Sequence, residues 1–273
     1  MNGKGENKAQ QEQLVNERQK EFYTSFKKNK ATKIWYSIRN TLLRDMRKAI
    51  GMEAQIYKLH REWMGDLSSK KVLDLGCYAG NSLSYYLAEN AAEYVGIDLS
   101  ENAIEKLQHK IAKFPHAKAV AVDFLSEDFS EKDFDLIYAY GVLHHFKDTD
   151  ELIKILQQKL KTGGKIISYD PLQTSLPVNI IRKIYRPFQS DKDWEWPFTR
   201  ETYYKYEKAF QIIERRAIFG EAKWFFMLNV LPISDEKKLK IGLKWHKRDW
   251  NLSERSDKQL FKCMHLTMFM EKK

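Results

Sequence analysis

Cysteine is scarce. Only Cys77 and Cys263 stand among 273 residues, too few for a disulfide framework and without zinc-ligand spacing, as suits a reducing compartment. Metal-ligand spacing is missing more generally, since no cluster of His, Asp and Cys has it, and this argues against metal-assisted chemistry. Long apolar runs are missing too. The longest uncharged one, Trp224 to Ser234, falls far short of the ~20 residues that span a bilayer. Residues 1–33 are polar and charged, unlike a secretory signal. The expectation is a cytoplasmic protein without a metal, long enough for one large α/β domain with additions.

Acidic residues run short only toward the ends. Residues 1–70 carry 15 Lys+Arg against 8 Asp+Glu and residues 171–273 carry 21 against 13, whereas residues 71–170 reverse the balance at 11 against 16. An acidic centre between basic flanks implies that whatever approaches through the flanks is anionic.

The acidic centre opens on Lys-Val-Leu-Asp-Leu-Gly-Cys-Tyr-Ala-Gly, residues 71–80. Val72, Leu73 and Leu75 read as a buried parallel strand, Asp74 lies near its carboxyl end, and Gly76 and Gly80 allow a tight turn that opens a helix. Open α/β sheets bind ligands at that edge. A second strand, Tyr94 to Asp98, ends in a carboxylate 22 positions after Gly76, where doubly wound sheets place the acid that takes ribose hydroxyls. A dinucleotide is disfavoured, because Tyr78 fills the place of the middle glycine that lets a pyrophosphate approach. A ligand with one nucleoside and no phosphate remains.

At this point the chain resembles the class I S-adenosylmethionine-dependent methyltransferases, in their small-molecule, quinone-methylating branch. Leu73 to Gly80 looks like their first motif and Gly96-Ile97-Asp98-Leu99-Ser100 like the second. Val122-Asp123-Phe124 matches the segment that contacts adenine, and Phe134 to Phe146, with Tyr140 and the pair His144-His145, is similar to the fourth-strand motif. Leu160 to Lys165 looks like the turn before the fifth strand. The likeness covers roughly residues 71–171.

The resemblance implies S-adenosylmethionine as cofactor, bound by Asp74, Gly76, Cys77, Gly80, Asp98, Leu99, Asp123, Phe124 and Tyr140. The turn amides and the following helix N-terminus would take the methionine carboxylate. Asp74 would lie near the ammonium and sulfonium, Asp98 on the ribose, Asp123 on the adenine amine with Phe124 against the ring. Cys77 matters for its backbone N–H. The resemblance further implies in-line methyl transfer to O, N or C of a small or lipid-like anionic acceptor, O-methylation favoured. His144 or His145 is the candidate base and Tyr140 the wall beside the methyl. Each histidine also has a purely structural reading.

Strands are expected at 71–75, 93–98, 118–122, 134–140 and 165–170, with helices near 80–89, 101–113 and 149–161. Strand patterns at 209–218 and 262–271 would supply the antiparallel pair common in this family, with 219–261 inserted between them. The whole is expected to be a Rossmann-like doubly wound seven-stranded sheet.

Residues 14–70 read as a basic helical cap and 1–13 as a disordered tail. In the cap, Ile34, Trp35, Ile38, Leu42, Met46 and Ile50 recur at helical spacing among basic residues. That stripe either packs on the core or touches an anionic membrane surface. After the fifth strand, Tyr169, Arg182, Arg186, Trp194 and Trp196 are candidates for substrate binding, because arginines pair oxyanions and rings cover an apolar body. A packed amphipathic helix is the plainer alternative there. Nucleic acid fits less well, since no RNA-binding module is recognisable, but an RNA methyltransferase or a non-catalytic S-adenosylmethionine-binding adaptor remains as an alternative.

Overall fold

The computed structural model describes residues 29–189 and 193–273; the tail expected over 1–13 and residues 14–28 of the expected cap lie outside the described residues. Seven strands form one sheet: β1 (Lys71–Leu75), β2 (Glu93–Asp98), β3 (Ala117–Ala121), β4 (Phe134–Tyr140), β5 (Leu160–Pro171), β6 (Phe210–Ile218) and β7 (His265–Lys272). Their order is β3-β2-β1-β4-β5-β7-β6, with β7 antiparallel to both its neighbours. This is the doubly wound sheet with an antiparallel terminal pair that the sequence implied.

Helices α1 (Lys30–Ala49) and α2 (Met52–Met64) precede the sheet, and α3 (Ser82–Asn90), α4 (Glu101–Ile111) and α5 (Thr149–Lys159) connect its parallel strands. Their starts are dictated locally. Asn81, Ser100 and Asp148 each accept an amide of the first turn, and at α3 Ser84 returns a bond to complete a capping box. Beyond β5 come α6 (Leu176–Tyr185) and α7 (Arg200–Ala209), then after β6 a 3-10 segment over Ala222–Val230, α8 (Asp235–Ser253) and the short α9 (Asp257–Leu260).

Side chains alternate along each strand, so the sheet has two buried faces. Val72, Tyr94, Leu136, Tyr138, Ile167 and Phe269 belong to one core cluster, which also takes in Ile56 and Met64 of α2 and Leu83 and Leu87 of α3. Leu73, Val95, Ile137, Ile166 and Met268 belong to the other, with Leu152 and Leu156 of α5 and Tyr203 and Tyr206 of α7. Burial of Val72, Leu73, Ile137 and Ile166 at 0% exposure is what makes these strands read as continuous apolar runs.

The flanks are pinned to the sheet by buried polar contacts. His60 of α2 bridges the Tyr138 hydroxyl of β4 and Thr267 of β7, at 3.1 and 2.8 Å. The insertion is held by Asp249 of α8, whose carboxylate accepts the amides of Gly220, Glu221 and Ala222 at 2.8–2.9 Å. His246 of the same helix meets Gln55 of α2 at 2.8 Å.

Two strand starts differ from expectation by three residues or more, and one apolar stripe packs differently. β5 begins at Leu160, five residues early, because Leu160 pairs with Phe134 before a bulge resets the register. β7 begins at His265, since residues 262–264 turn back after α9. The apolar stripe of α1 splits: Leu43 and Met46 are buried, whereas Ile34, Ile38 and Leu42 stay exposed at 60, 47 and 38%. The stripe therefore does not pack on the core as one face.

Candidate active site

At the carboxyl end of β1 the chain turns sharply. Gly76 (φ 68°) and Gly80 (φ 73°) both occupy the left-handed region, and neither could carry a side chain: a Cβ would lie 2.4 Å from Val142 at Gly76 and 2.6 Å from Leu107 at Gly80. The amides of Gly76 and Cys77 both donate to the Ile97 carbonyl of β2, at 2.8 and 3.1 Å. Tyr78 is also left-handed, at φ 47°, and its amide donates to Asp98 Oδ2 at 3.0 Å. Asp98 Oδ1 accepts the Ser100 amide at 2.9 Å. Asp98 thus staples the turn to β2, and each oxygen keeps a second lone pair for a ribose hydroxyl.

The helix after the turn is less available than the sequence suggested. Asn81 Oδ1 already takes the Leu83 and Ser84 amides of α3 at 2.8 and 3.0 Å, so those two cannot receive a ligand carboxylate. Cys77 is buried, its thiol is pushed well up by that burial, and its amide is already engaged by the Ile97 carbonyl. Leu99 is half-buried beside Asp98. Asp123 accepts the Leu125 amide at 2.9 Å in a local turn. Phe124 is 3% exposed and its ring sits near Phe129 and Phe146, with centroids 6.1 Å away in each case. Its ring therefore belongs to the core and offers adenine no open face.

Asp74 carries the most unusual electrostatics of this edge. It is 2% exposed, the Tyr94 hydroxyl donates to it at 2.9 Å, and burial raises its carboxyl to about 6, although bonds from Ser84 and Tyr94 pull the other way. Asp98 is raised as well, again by burial. The charge that acts on Asp74 is Asp98, another acid. Two desolvated carboxylates that repel each other form a site complementary to a cationic ligand.

The adjoining edge, at the ends of β4, β5 and β7, is aromatic. Tyr140 and Tyr169 are register partners and stack at 4.8 Å. Tyr169 stacks in turn on His265 of β7 at 5.4 Å, and Tyr57 of α2 meets Tyr140 edge-on at 5.6 Å. Burial, reinforced by Glu53, pushes the Tyr140 hydroxyl up to about 12, so it serves as a hydrogen-bond donor. Arg47 of α1 counteracts that rise and lies over the Phe219 ring at 5.9 Å.

After Tyr140 the chain bends at Gly141 into a single 3-10 turn, Leu143–His145. His144 is 8% exposed, with Nδ1 2.9 Å from Asp170 Oδ1 at the end of β5. Burial drives both partners toward their neutral forms, His144 down to about 3 and Asp170 up to about 7. The contact is accordingly a hydrogen bond near a neutral imidazole rather than a full ion pair. His145 Nδ1 lies 2.7 Å from the Trp194 carbonyl. A carbonyl only accepts, so Nδ1 carries the proton and the lone pair sits on Nε2.

Trp194 itself is buried at 5% exposure, and the Trp196 amide donates to the His144 carbonyl at 2.7 Å. Both tryptophans therefore buttress the histidine turn. Arg182 of α6 bears on His144 electrostatically, while Arg186 sits a turn beyond, in the 3-10 turn Arg186–Phe188. Asp170, Tyr57, His265, Arg47 and Glu53 were not among the residues singled out for the site. Asp170 precedes Pro171 at a strand's carboxyl end, which is the signal that could have marked it.

Comparison with known proteins bears on the same stretch. Residues 73–166 match the family described as a methyltransferase domain. The phosphoethanolamine N-methyltransferase 3 of Arabidopsis thaliana is 35% identical over 103 residues, 37% of this chain and 21% of that protein. The ubiquinone biosynthesis O-methyltransferase of Idiomarina loihiensis is 34% identical over 109 residues, 37% of this chain and 42% of that protein. The chain thus spans about a fifth to two-fifths of these curated relatives. Residues 73–166 are thus similar to the methyltransferase domains of class I S-adenosylmethionine-dependent enzymes.

The likeness in fold extends further than the sequence match. The N-methyltransferase NodS of Bradyrhizobium japonicum, solved with S-adenosyl-L-homocysteine, superposes with a TM-score of 0.51 at 15% identity, over 81% of this chain and 86% of that one. Within the matched stretch lie the glycine turn, the acids and both histidines. Tyr57, Tyr169, Asp170 and Trp194 fall outside the residues that the family model matches.

Proposed function

We propose that the protein transfers a methyl group from S-adenosylmethionine to a hydroxyl of a small or lipid-like anionic acceptor. The observation that carries this reading is the histidine turn: two imidazoles, each with Nδ1 on an acceptor and a lone pair directed by tautomer to Nε2, beside the aromatic edge at the end of β4. A hydroxyl nucleophile has to lose its proton as it attacks, and a neutral imidazole with its lone pair on Nε2 can accept it.

The site fits the cofactor. At Gly76 and Gly80 the turn has room only for backbone, the acids Asp74 and Asp98 present uncompensated negative charge, and Asp98 retains lone pairs for ribose hydroxyls. When bound, the sulfonium supplies an activated methyl group. The chain's own work is to hold the acceptor in line, keep water out with Tyr57, Tyr140 and Tyr169, and take the hydroxyl proton on Nε2 of His145 or His144. Asp170 holds the His144 ring by its Nδ1. Arg47 and Arg182 on the approach suit an acceptor carrying phosphate or carboxylate.

The test is incubation of the full chain with methyl-labelled cofactor and with lipid, RNA and small-molecule fractions. Label in the lipid or small-molecule fraction, retained as an ether, supports the proposal. Label in RNA, or none in any fraction while the cofactor binds, contradicts it.

A further inference from the structure

Helix α6 exposes an apolar ridge. Leu176, Ile180 and Ile184 are 72, 51 and 70% exposed, and Phe188 just beyond is 62% exposed. At about 100° per residue the three aliphatic residues lie within an arc of roughly 80°, one turn apart. On the same reckoning Arg182 is on roughly the opposite side of the helix, and its charge reaches the buried His144. The inner face of α6 is thus turned to the histidine edge, and the ridge is turned away from it.

α1 carries a second ridge with the same spacing, Ile34, Ile38 and Leu42. The two helices are joined, since Asn29 Nδ2 at the start of α1 donates to the Phe188 carbonyl at 2.8 Å. Charge accompanies both. α1 has six basic residues and one acid, and the stretch 176–188 has three basic residues and none acidic.

We infer that the α6 ridge and its α1 neighbour dock the protein on an anionic phospholipid bilayer. Exposed aliphatics on successive turns, flanked by arginine and lysine, are the composition that settles at a bilayer interface, with apolar residues below the headgroups and cations among the phosphates. A second copy of this chain would bring like charge against like charge. RNA would meet the cations and leave the aliphatic ridge in water. Docking rests on the proposed function only for its consequence, that the histidine edge, on the inner side of α6, is held one helix away from the bilayer.

The test uses the full chain in co-sedimentation with vesicles of phosphatidylcholine alone and with about 30 mol% phosphatidylglycerol. The protein should pellet with the anionic vesicles only, and salt at about 0.5 M should release most of it. Ile180→Asp/Ile184→Asp should lower partitioning ~10-fold or more, and Lys183→Glu several-fold, with thermal midpoint and S-adenosylmethionine affinity unchanged. Absence of partitioning, equal partitioning to neutral vesicles, or unaltered binding by Ile180→Asp/Ile184→Asp would each overturn the inference. So would a stable dimer that Ile180→Asp/Ile184→Asp dissociates. Calorimetry of the cofactor on the same samples separates the two proposals: loss of cofactor binding with vesicle binding intact sinks the proposed function and leaves the docking face.

Discussion

His144 and Asp170 make a two-point contact across 26 residues of sequence: the same carboxylate oxygen, Asp170 Oδ1, accepts the His144 amide at 3.2 Å and faces its Nδ1 at 2.9 Å. One oxygen thereby sets both the backbone of the 3-10 turn and the orientation of the ring. With Asp170 raised to about 7 and His144 lowered to about 3, the imidazole is neutral through the working range, and ionisation of Asp170 governs how firmly it holds the Nδ1 proton.

Asp170→Asn should separate positioning from structure. The amide keeps the shape and the accepting Oδ1 but cannot ionise, so turnover above pH 7 should fall ~10²-fold with little change in cofactor affinity. Wild-type kcat should rise with pH through about 7 as Asp170 ionises, and Asp170→Asn should lack that limb. A variant with the same acid limb as wild type would remove Asp170 from the mechanism.

Replacement of both imidazoles, His144→Ala/His145→Ala, should leave S-adenosylmethionine binding in calorimetry unchanged and lower turnover by ~10²-fold or more. Separate single variants then identify which Nε2 takes the proton. Unchanged turnover in the double variant would assign both rings to structure alone.

His60 offers a stability test. Thr267 donates to the Ser168 carbonyl at 2.6 Å, so it accepts from His60 Nε2, and Nδ1 accepts from the Tyr138 hydroxyl. Burial lowers His60 to about 3, below the ordinary histidine value of ~6.5. Its stabilisation is therefore present above pH ~6.5 and is lost as pH falls toward 3, at about 1.4 kcal/mol per unit. His60→Gln does not titrate, so the stability gap between wild type and variant should shrink from pH 7 to 4 in denaturant unfolding. A gap independent of pH contradicts the assignment.

Asp74, raised to about 6, should couple cofactor binding to pH. A cationic ligand prefers the ionised carboxylate, so S-adenosylmethionine affinity should weaken as pH drops below about 6. Asp74→Asn should bind ~10-fold more weakly at pH 8 and lose that dependence. Equal pH profiles for the two proteins would refute the role.

The parallel half of the sheet was legible because its signals are local. Val72 to Leu75 is a buried run, Gly76 and Gly80 punctuate it, and Ser100 and Asp148 mark the next helices, so strand limits for β1, β2 and β4 coincide with expectation. The acceptor edge was not legible in the same way. Asp170 meets His144, and Tyr57 meets Tyr140, only because β4–β5 register and the placement of α2 bring distant segments together. Phe124 looked like a ring for adenine because sequence does not reveal that Phe129 and Phe146 close over it. The α1 stripe misled for a related reason: helical spacing marks an apolar face, yet not whether protein or something else covers it.

The central claim is that S-adenosylmethionine lies at the ends of β1 and β2 with its ribose on Asp98. Titration calorimetry of the full chain with S-adenosylmethionine, beside Asp98→Ala of matched thermal midpoint, tests it directly. The account predicts a single saturable site weakened ~10-fold or more by Asp98→Ala, since two charge-assisted hydrogen bonds are lost; absence of binding in the wild type, or equal affinity in the two proteins, would contradict it.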